Sequence, residues 1–276
     1  MVHFAAIYHP SGKAGRLLFD YPHAPGFFEP RFLCPSVHHF RRSHIPAARL
    51  TREFDLAGPF SLRDTVHVLR MGMNDPTTLL SRNQFAFAQH TPIGPVEVEL
   101  TQPELGVAKI TARCWGPGGE WIVERLPTML GFDDDPTAFQ PSGPLRRLHQ
   151  KHIGMRMTQM PLVASQVTKV VLMQLVAWRD AQSSWCQLAK RLGLESPGPN
   201  GLRLPPRLTD IRSLAQFEMI ECGIIPKLAR TLKNVAAAER HLEHAAANGP
   251  EAFATCMHKI HGIGEWTTQY LSLIHI

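Results

Sequence analysis

The sequence is poor in cysteine, and its five cysteines (Cys34, Cys114, Cys186, Cys222 and Cys256) are odd in number and scattered. No C-x-x-C pair occurs among them, which argues against a disulfide framework, a zinc ribbon and a dithiol redox site. The expectation is free, mostly buried thiols and no metal. Long apolar runs are also missing. No stretch approaches the ~18 residues that a spanning helix needs. The opening "MVHFAAIYHPSGKAGRLLF" lacks the ordered charged, apolar and small-residue regions of a secretory signal. These absences predict a cytoplasmic protein without a membrane partner. Acidic residues are outnumbered, 23 against 29 Lys and Arg, giving a net charge of +6. A polyanionic partner suits that balance, although charge alone does not select nucleic acid. No internal repeat is visible.

What is present divides into unequal parts. Residues 1–50, rich in His, Pro and Arg, keep neither helical nor strand periodicity and read as a poorly ordered basic arm. His38, His39, Arg41 and Arg42 within it form a candidate anion contact, with a solvated tail as the plainer reading. Residues 51–138 read as an α+β domain. "PFSLRDTVHVLRMG" places Leu62, Val66 and Leu69 on one helical face, "GPVEVEL" and "GVAKITARCW" alternate as strands, and Trp121 to Leu130 returns to helical spacing. Residues 139–148 read as a linker containing "QPSGP", and residues 149–276 as an all-α domain. Its segment "PLVASQVTKVVLMQLVAW" is apolar on nearly all sides and predicts a buried central helix. Further helices are expected at Ala181–Leu192, Leu208–Phe217, Pro226 to about His244, and Pro250–Ile260.

Three clusters invite a chemical reading. Asp133, Asp134 and Asp135 precede a proline, where Asp is favoured in turns and caps, so catalysis is the weaker interpretation. His149 with His152, and His241 with His244 beside Glu243, have the spacing to share a helix face, but neither pair has an evident third ligand for a metal.

The most informative stretch is "HKIHGIGEWTTQYL", His258 to Leu271. Phe253, Met257 and Ile260 give one helix an apolar face, "HGIG" turns the chain, and Trp266 begins another helix whose first amides lack internal partners. Glycines at 262 and 264 let backbone N–H groups approach an anion, and the helix dipole favours it, so the hairpin suits a phosphate. Glu265 opposes that use unless it points away. Glycine needed only for turning is the equal alternative.

The words around this hairpin resemble the helix-hairpin-helix DNA glycosylases, and more narrowly the DNA-3-methyladenine glycosylase II (AlkA) type. The resemblance spans roughly Phe54 to Leu273 and includes "TPIGPV", "LGFDDDPTAF", "MQLVA", "GIIPKLA" and "GIGEWTTQY". It implies a monofunctional base-excision repair enzyme that flips an alkylated purine of double-stranded DNA and hydrolyses its N-glycosidic bond. It places the phosphate on the amides of Gly262, Gly264 and Thr267, the duplex wedge at Leu175 beside Gln174, and the base pocket at Trp266 and Tyr270. Trp266 stands where bifunctional relatives carry a Schiff-base lysine. The same resemblance implies a monomer, nucleoid-associated in a bacterial cell. It implies no cofactor beyond a possible alkali cation on hairpin carbonyls.

The family's catalytic aspartate falls beyond Ile276, so this chain, whose ending "LSLIHI" departs from the pattern, is expected to lack it and to be inactive by itself. For each side chain an ordinary reading stands beside the implied one: Trp266 and Tyr270 as a packed i, i+4 pair, Leu175 as plain core. At the level of the chain, the alternatives are a non-catalytic helix-hairpin-helix DNA-binding protein and a basic helical scaffold. Arg146, Arg147, Lys227, Arg230 and Lys233 are the candidate phosphate contacts.

Overall fold

The computed structural model describes residues 49–275 apart from 57, 105, 106, 136 and 137. Residues 1–48 of the arm, with Cys34, His38, His39, Arg41 and Arg42, fall outside the described residues, while Leu50, expected in the arm, already pairs in the sheet. Five strands form one antiparallel sheet: β1 (Leu50–Asp55), β2 (Thr78–Leu80), β3 (Gln84–Thr91), β4 (Gly94–Thr101) and β5 (Lys109–Trp115), in the order β1-β5-β4-β3-β2. The strict alternation of β4 explains its two faces. Val96, Val98 and Leu100 enter a core with Phe85, Phe87, Ile110 and Ala112. Glu97 and Glu99 point the other way and are nonetheless buried. The apolar face is covered by α1 (Leu62–Val66), a 3-10 turn at His67–Leu69, α2 (Gly119–Val123) and α3 (Leu126–Met129), which contribute Leu62, Val66, Ile122 and Leu126.

The opposite face is closed by the loop 194–204, as the sequence pattern of "ESPGPNGLRLPP" suggests a loop there. Glu97 accepts from the Asn200 backbone and side-chain amides at 3.0 Å each and from the Ser196 hydroxyl. Leu202 and Leu204 pack on Ala86 and Ala88. A buried carboxylate held by three donors is a clasp, since an unpaired charge in that position would be costly.

From residue 119 on, every regular element among the described residues is a helix, apart from a single bridge between Glu195 and Arg203. These helices continue as α4 (Pro144–Lys151), α5 (Ala164–Leu172), α6 (Trp178–Leu192), α7 (Leu208–Ser213), α8 (Gln216–Glu221), α9 (Pro226–Ala237), α10 (Glu239–Ala247), α11 (Pro250–His258) and α12 (Glu265–His275). Helix α5 is central, with eight of its nine residues buried. Helix α4 begins inside the stretch expected to be a linker. Gly143 adopts a positive φ and Pro144 occupies the first turn, a combination that starts a helix.

Two expected helices are divided. The segment from Leu208 breaks at Leu214, where Lys233 donates to the Arg212 carbonyl at 2.5 Å and to that of Leu214, and the Ala215 amide is held by Glu218 at 2.7 Å. The segment from Pro226 breaks at Ala238. Polar groups at both sides of the first break are satisfied, so the chain bends without losing hydrogen bonds.

The loop after Leu69 meets α5 and α6 through a buried network. Asp75, with a fully buried side chain, accepts from the Met71 amide at 2.8 Å, the Thr77 amide and hydroxyl at 2.9 and 2.7 Å, Trp185 Nε1 at 2.8 Å and Lys169 Nζ at 3.1 Å. Burial pushes its pKa up, but Lys169 and the N–H and O–H donors outweigh it and bring the carboxyl down to about 2.

Candidate nucleic-acid interface

Helices α11 and α12 form the hairpin. Phe253, Met257, Ile260, Ile263 and Leu271 bury its inner side. Gly262 has φ +96°, and a Cβ there would lie 2.2 Å from Thr231 Oγ1 of α9, so both conformation and space require glycine. Asn234, one turn along α9 from Thr231, donates to the His261 carbonyl at 2.9 Å. The hairpin tip is thus fixed by α9. Gly264 differs: its φ is ordinary and nothing lies within 4 Å of a Cβ built on it, so the space beside it is open.

At the start of α12 the amides of Glu265 and Trp266 have no acceptor one turn back, and the helix dipole adds about half a positive charge. The Thr267 amide, in contrast, donates to the Gly264 carbonyl at 3.1 Å. It is engaged inside the protein, unlike the role the family pattern assigns it. Glu265 is likewise occupied, with one oxygen 2.6 Å from Gln269 Nε2 and the other 3.1 Å from His258 Nε2. The carbonyls of Ile260, His261 and Gly264 each accept a hydrogen bond. An alkali cation, which suits such hard oxygen donors, would have to share them.

Lys227 and Arg230 are exposed on α9 and line, with His261 and Gly262, a recess of about 350 Å³. Lys233 borders it too, but its ammonium is taken by the α7 carbonyls described above. His258 and Lys259 are exposed beside the turn. Cationic groups therefore surround the glycine turn, as a phosphate-binding surface requires.

The second component lies where α5 ends. The buried helix expected through Trp178 stops at Leu172, and residues 173–176 form a turn. Met173 and Val176 pack on the helical core. Leu175 between them is 68% exposed and has φ +59°, the one positive φ at a non-glycine position among the described residues. The plain-core reading of Leu175 fails on that exposure. Gln174 Nε2 donates to Thr267 Oγ1 at 2.7 Å, joining this turn to α12.

Trp266 and Tyr270 are in contact, with ring centroids 5.4 Å apart and planes tilted by 33°. Tyr270 packs partly into the core, and burial pushes its phenol pKa up, keeping it neutral. Trp266 is 52% exposed, so the pair offers an indole surface to solvent. Trp178, half exposed at the first turn of α6, is a third large apolar group near the Leu175 turn in sequence.

Several of the remaining candidates make structural contacts. Asp134 accepts from the Met157 amide at 3.0 Å and lines, with Asp135, a separate recess of about 1000 Å³ that contains none of the hairpin residues. His152 faces Asp64 at 3.4 Å, while His149 sets its ring edge against Phe139. His244 lies against Asn248, and burial raises the pKa of Glu243. No group of three metal-ligating side chains occurs among the described residues. Arg146 and Arg147 are exposed on α4. Cys114, Cys186, Cys222 and Cys256 are free, and burial pushes the Cys114 thiol up to about 12. No helix among the described residues is long and apolar enough to cross a membrane.

No family model matches the chain, and no curated protein matches it in sequence. Solved structures do. The 3-methyladenine DNA-glycosylase from Archaeoglobus fulgidus superposes with a TM-score of 0.66 at 18% identity, covering 80% of this chain and 78% of that one. The Clostridium acetobutylicum 8-oxoguanine glycosylase/lyase, solved with double-stranded DNA containing cytosine opposite 8-oxoguanine, gives 0.60 at 10% identity, covering 83% and 80%. This chain has the DNA glycosylase fold. At such identities the likeness extends to the fold and leaves the chemistry to be argued from the site.

Proposed function

We propose that this chain is a base-excision DNA glycosylase domain that binds double-stranded DNA as a monomer, in the cytoplasm or on the nucleoid, and recognises alkylated purines of the 3-methyladenine class. The observation that carries the reading is Leu175. An apolar side chain exposed to water and held in a left-handed conformation is costly on both counts. Here it is tied by Gln174 to the helix whose N-terminus suits a phosphate. A wedge that fills the gap left by a flipped nucleotide needs those properties.

In this reading the open amides at Glu265 and Trp266, beside Gly264, together with Lys227 and Arg230 hold the backbone, while Leu175 enters the stack and Trp266 over Tyr270 receives the base. A cationic alkylated purine gains cation-π attraction from such rings, which favours it over a neutral oxidised base. An indole at position 266 offers no amine for a Schiff base, so the chemistry is hydrolytic and leaves the strand intact. Glu265, the carboxylate at this helix start, is engaged by His258 and Gln269.

The test compares the 276-residue chain on intact duplex and on duplex carrying a tetrahydrofuran abasic mimic. Expected are tighter binding to the mimic and a steep fall of affinity with salt. Equal affinity for both duplexes removes the base-flipping reading, and salt-independent binding removes the DNA reading. Base release from methylated DNA is the enzymatic readout. Release that disappears in Glu265→Gln would make Glu265 the catalytic carboxylate, and preferential release of 8-oxoguanine would replace the alkylpurine assignment. The same binding with no base release would favour the non-catalytic DNA-binding alternative.

A further inference from the structure

We infer that Gln174 is a positioning residue that works through Thr267 rather than a group that touches DNA. The inference rests on the glycosylase reading and deepens it by assigning how the wedge is held. A leucine left to itself abandons φ +59°, because its Cβ meets the following carbonyl there. Something must therefore hold the turn. On either side Met173 and Val176 are anchored in the helical core. The Met173 and Gln174 amides continue onto the Val170 and Val171 carbonyls at 3.1 Å each, and the restraint that ties the turn to another helix is the 2.7 Å hydrogen bond from Gln174 Nε2 to Thr267 Oγ1, across 93 residues of sequence.

Thr267 is well placed as an anchor. Its side chain is buried, and its amide is bonded to the Gly264 carbonyl at the tip of the hairpin. One hydrogen bond thus fixes the Leu175 turn to the same helix start that offers its amides to phosphate. Wedge and phosphate contact are kept in one register before DNA arrives, which lowers the ordering cost of binding. Half-buried and with one amide hydrogen given to Thr267, Gln174 is turned toward the hairpin.

The experiment uses the 276-residue chain and four substitutions: Gln174→Ala, Thr267→Val, Thr267→Ser and Leu175→Ala. The readout is the ratio of affinities for tetrahydrofuran-containing and intact duplex, together with the salt dependence on intact duplex. Thr267→Val keeps shape and removes the acceptor. It is expected to lower the ratio about three- to tenfold, matching Gln174→Ala, with an unchanged salt slope. Thr267→Ser should restore the wild-type ratio, and the double substitution Gln174→Ala with Thr267→Val should be no worse than either alone. In the free protein, Thr267→Val should also shift the Leu175 methyl resonances.

Wild-type behaviour of Thr267→Val alongside a defective Gln174→Ala, or additive losses in the double variant, would overturn the inference and make Gln174 a direct DNA contact. Leu175→Ala keeps the two failures apart. If it also leaves the ratio unchanged, the wedge reading itself falls and takes this inference with it. If it lowers the ratio while Thr267→Val does not, only the positioning role is lost.

Discussion

Asp75 and Leu175 lie at opposite extremes of the structure that α5 organises. Asp75 is a charge taken wholly out of water, and five donors, including Lys169 of α5, converge on it. Leu175 follows the end of the same helix and is an apolar group left in water in a strained backbone. The buried group breaks the usual preference for apolar interiors and is fully compensated by hydrogen bonds. The exposed group breaks the preference for relaxed, covered leucine and has no compensation in its own packing. An uncompensated departure of this kind marks function more specifically than a compensated one, because only a ligand could repay it. The two are also linked, since the network around Asp75 stiffens the helix whose end presents Leu175.

Removing the charge of Asp75 should break the comparison most strongly. Asp75→Asn leaves Lys169 buried beside a neutral amide, and loss of one partner of a buried ion pair typically costs about 3–5 kcal/mol. Urea denaturation should show that loss directly. The pH dependence follows from the depressed pKa. The stabilisation from Asp75 is complete above its unfolded value of 3.8 and is lost as pH falls toward the folded value of about 2. Wild-type protein should therefore lose roughly 2 kcal/mol over that window beyond what the Asn variant loses. Parallel curves for the two proteins would show that the carboxylate is not held as described.

A smaller effect is expected at the hairpin, where the two glycines provide an internal control. Gly262→Ala forces a Cβ onto Thr231 at a positive φ and should lower stability by about 2–3 kcal/mol, weakening duplex binding with it. Gly264→Ala meets nothing and should be within about 0.5 kcal/mol of wild type in stability. Its binding to duplex, however, should weaken if a phosphate occupies that open side. Equal stability losses at both positions would mean that both glycines serve only the turn.

How far the sequence revealed this arrangement depends on the range over which each interaction acts. The alternation of "GPVEVEL" was legible because Val96, Val98 and Leu100 face one core and the glutamates the other. Helix α5 was legible from its unbroken apolar run. Strand β3 was not, since "QFAFAQHT" alternates Phe with Ala, both apolar, and each set meets a different apolar cluster. β1 was hidden by the charges that protect an edge strand, Arg52 and Glu53. At the candidate site, the hairpin was visible as a glycine turn ahead of a helix start. The Leu175 turn was not, because "MQLVA" reads as continuing helix. The positive φ at Leu175 turns the chain there, and the side-chain bond from Gln174 reaches Thr267, far along the chain. Asp75 was missed for the same reason: "MNDPTT" reads as a plain turn, while Lys169 and Trp185 lie 94 and 110 residues away.

The smallest expected effect is the sharpest, because its sign decides. For an ordinary exposed leucine, replacement by glycine destabilises a protein, since glycine gives the unfolded chain more freedom; the cost is about 0.5–1 kcal/mol. At φ +59° the balance reverses. Glycine adopts this conformation without the ~1–2 kcal/mol penalty that a Cβ brings, and a side chain 68% exposed loses little burial when removed. Leu175→Gly should therefore leave the folded protein slightly more stable, by up to about 1 kcal/mol in urea denaturation. The same variant should lose the preference for abasic-mimic duplex, because nothing remains to fill the stack. Greater stability with weaker discrimination is the signature of a residue kept for function against the interest of the fold. Lower stability with unchanged discrimination would return Leu175 to the ordinary surface and leave Trp266 as the exposed apolar group still to be explained.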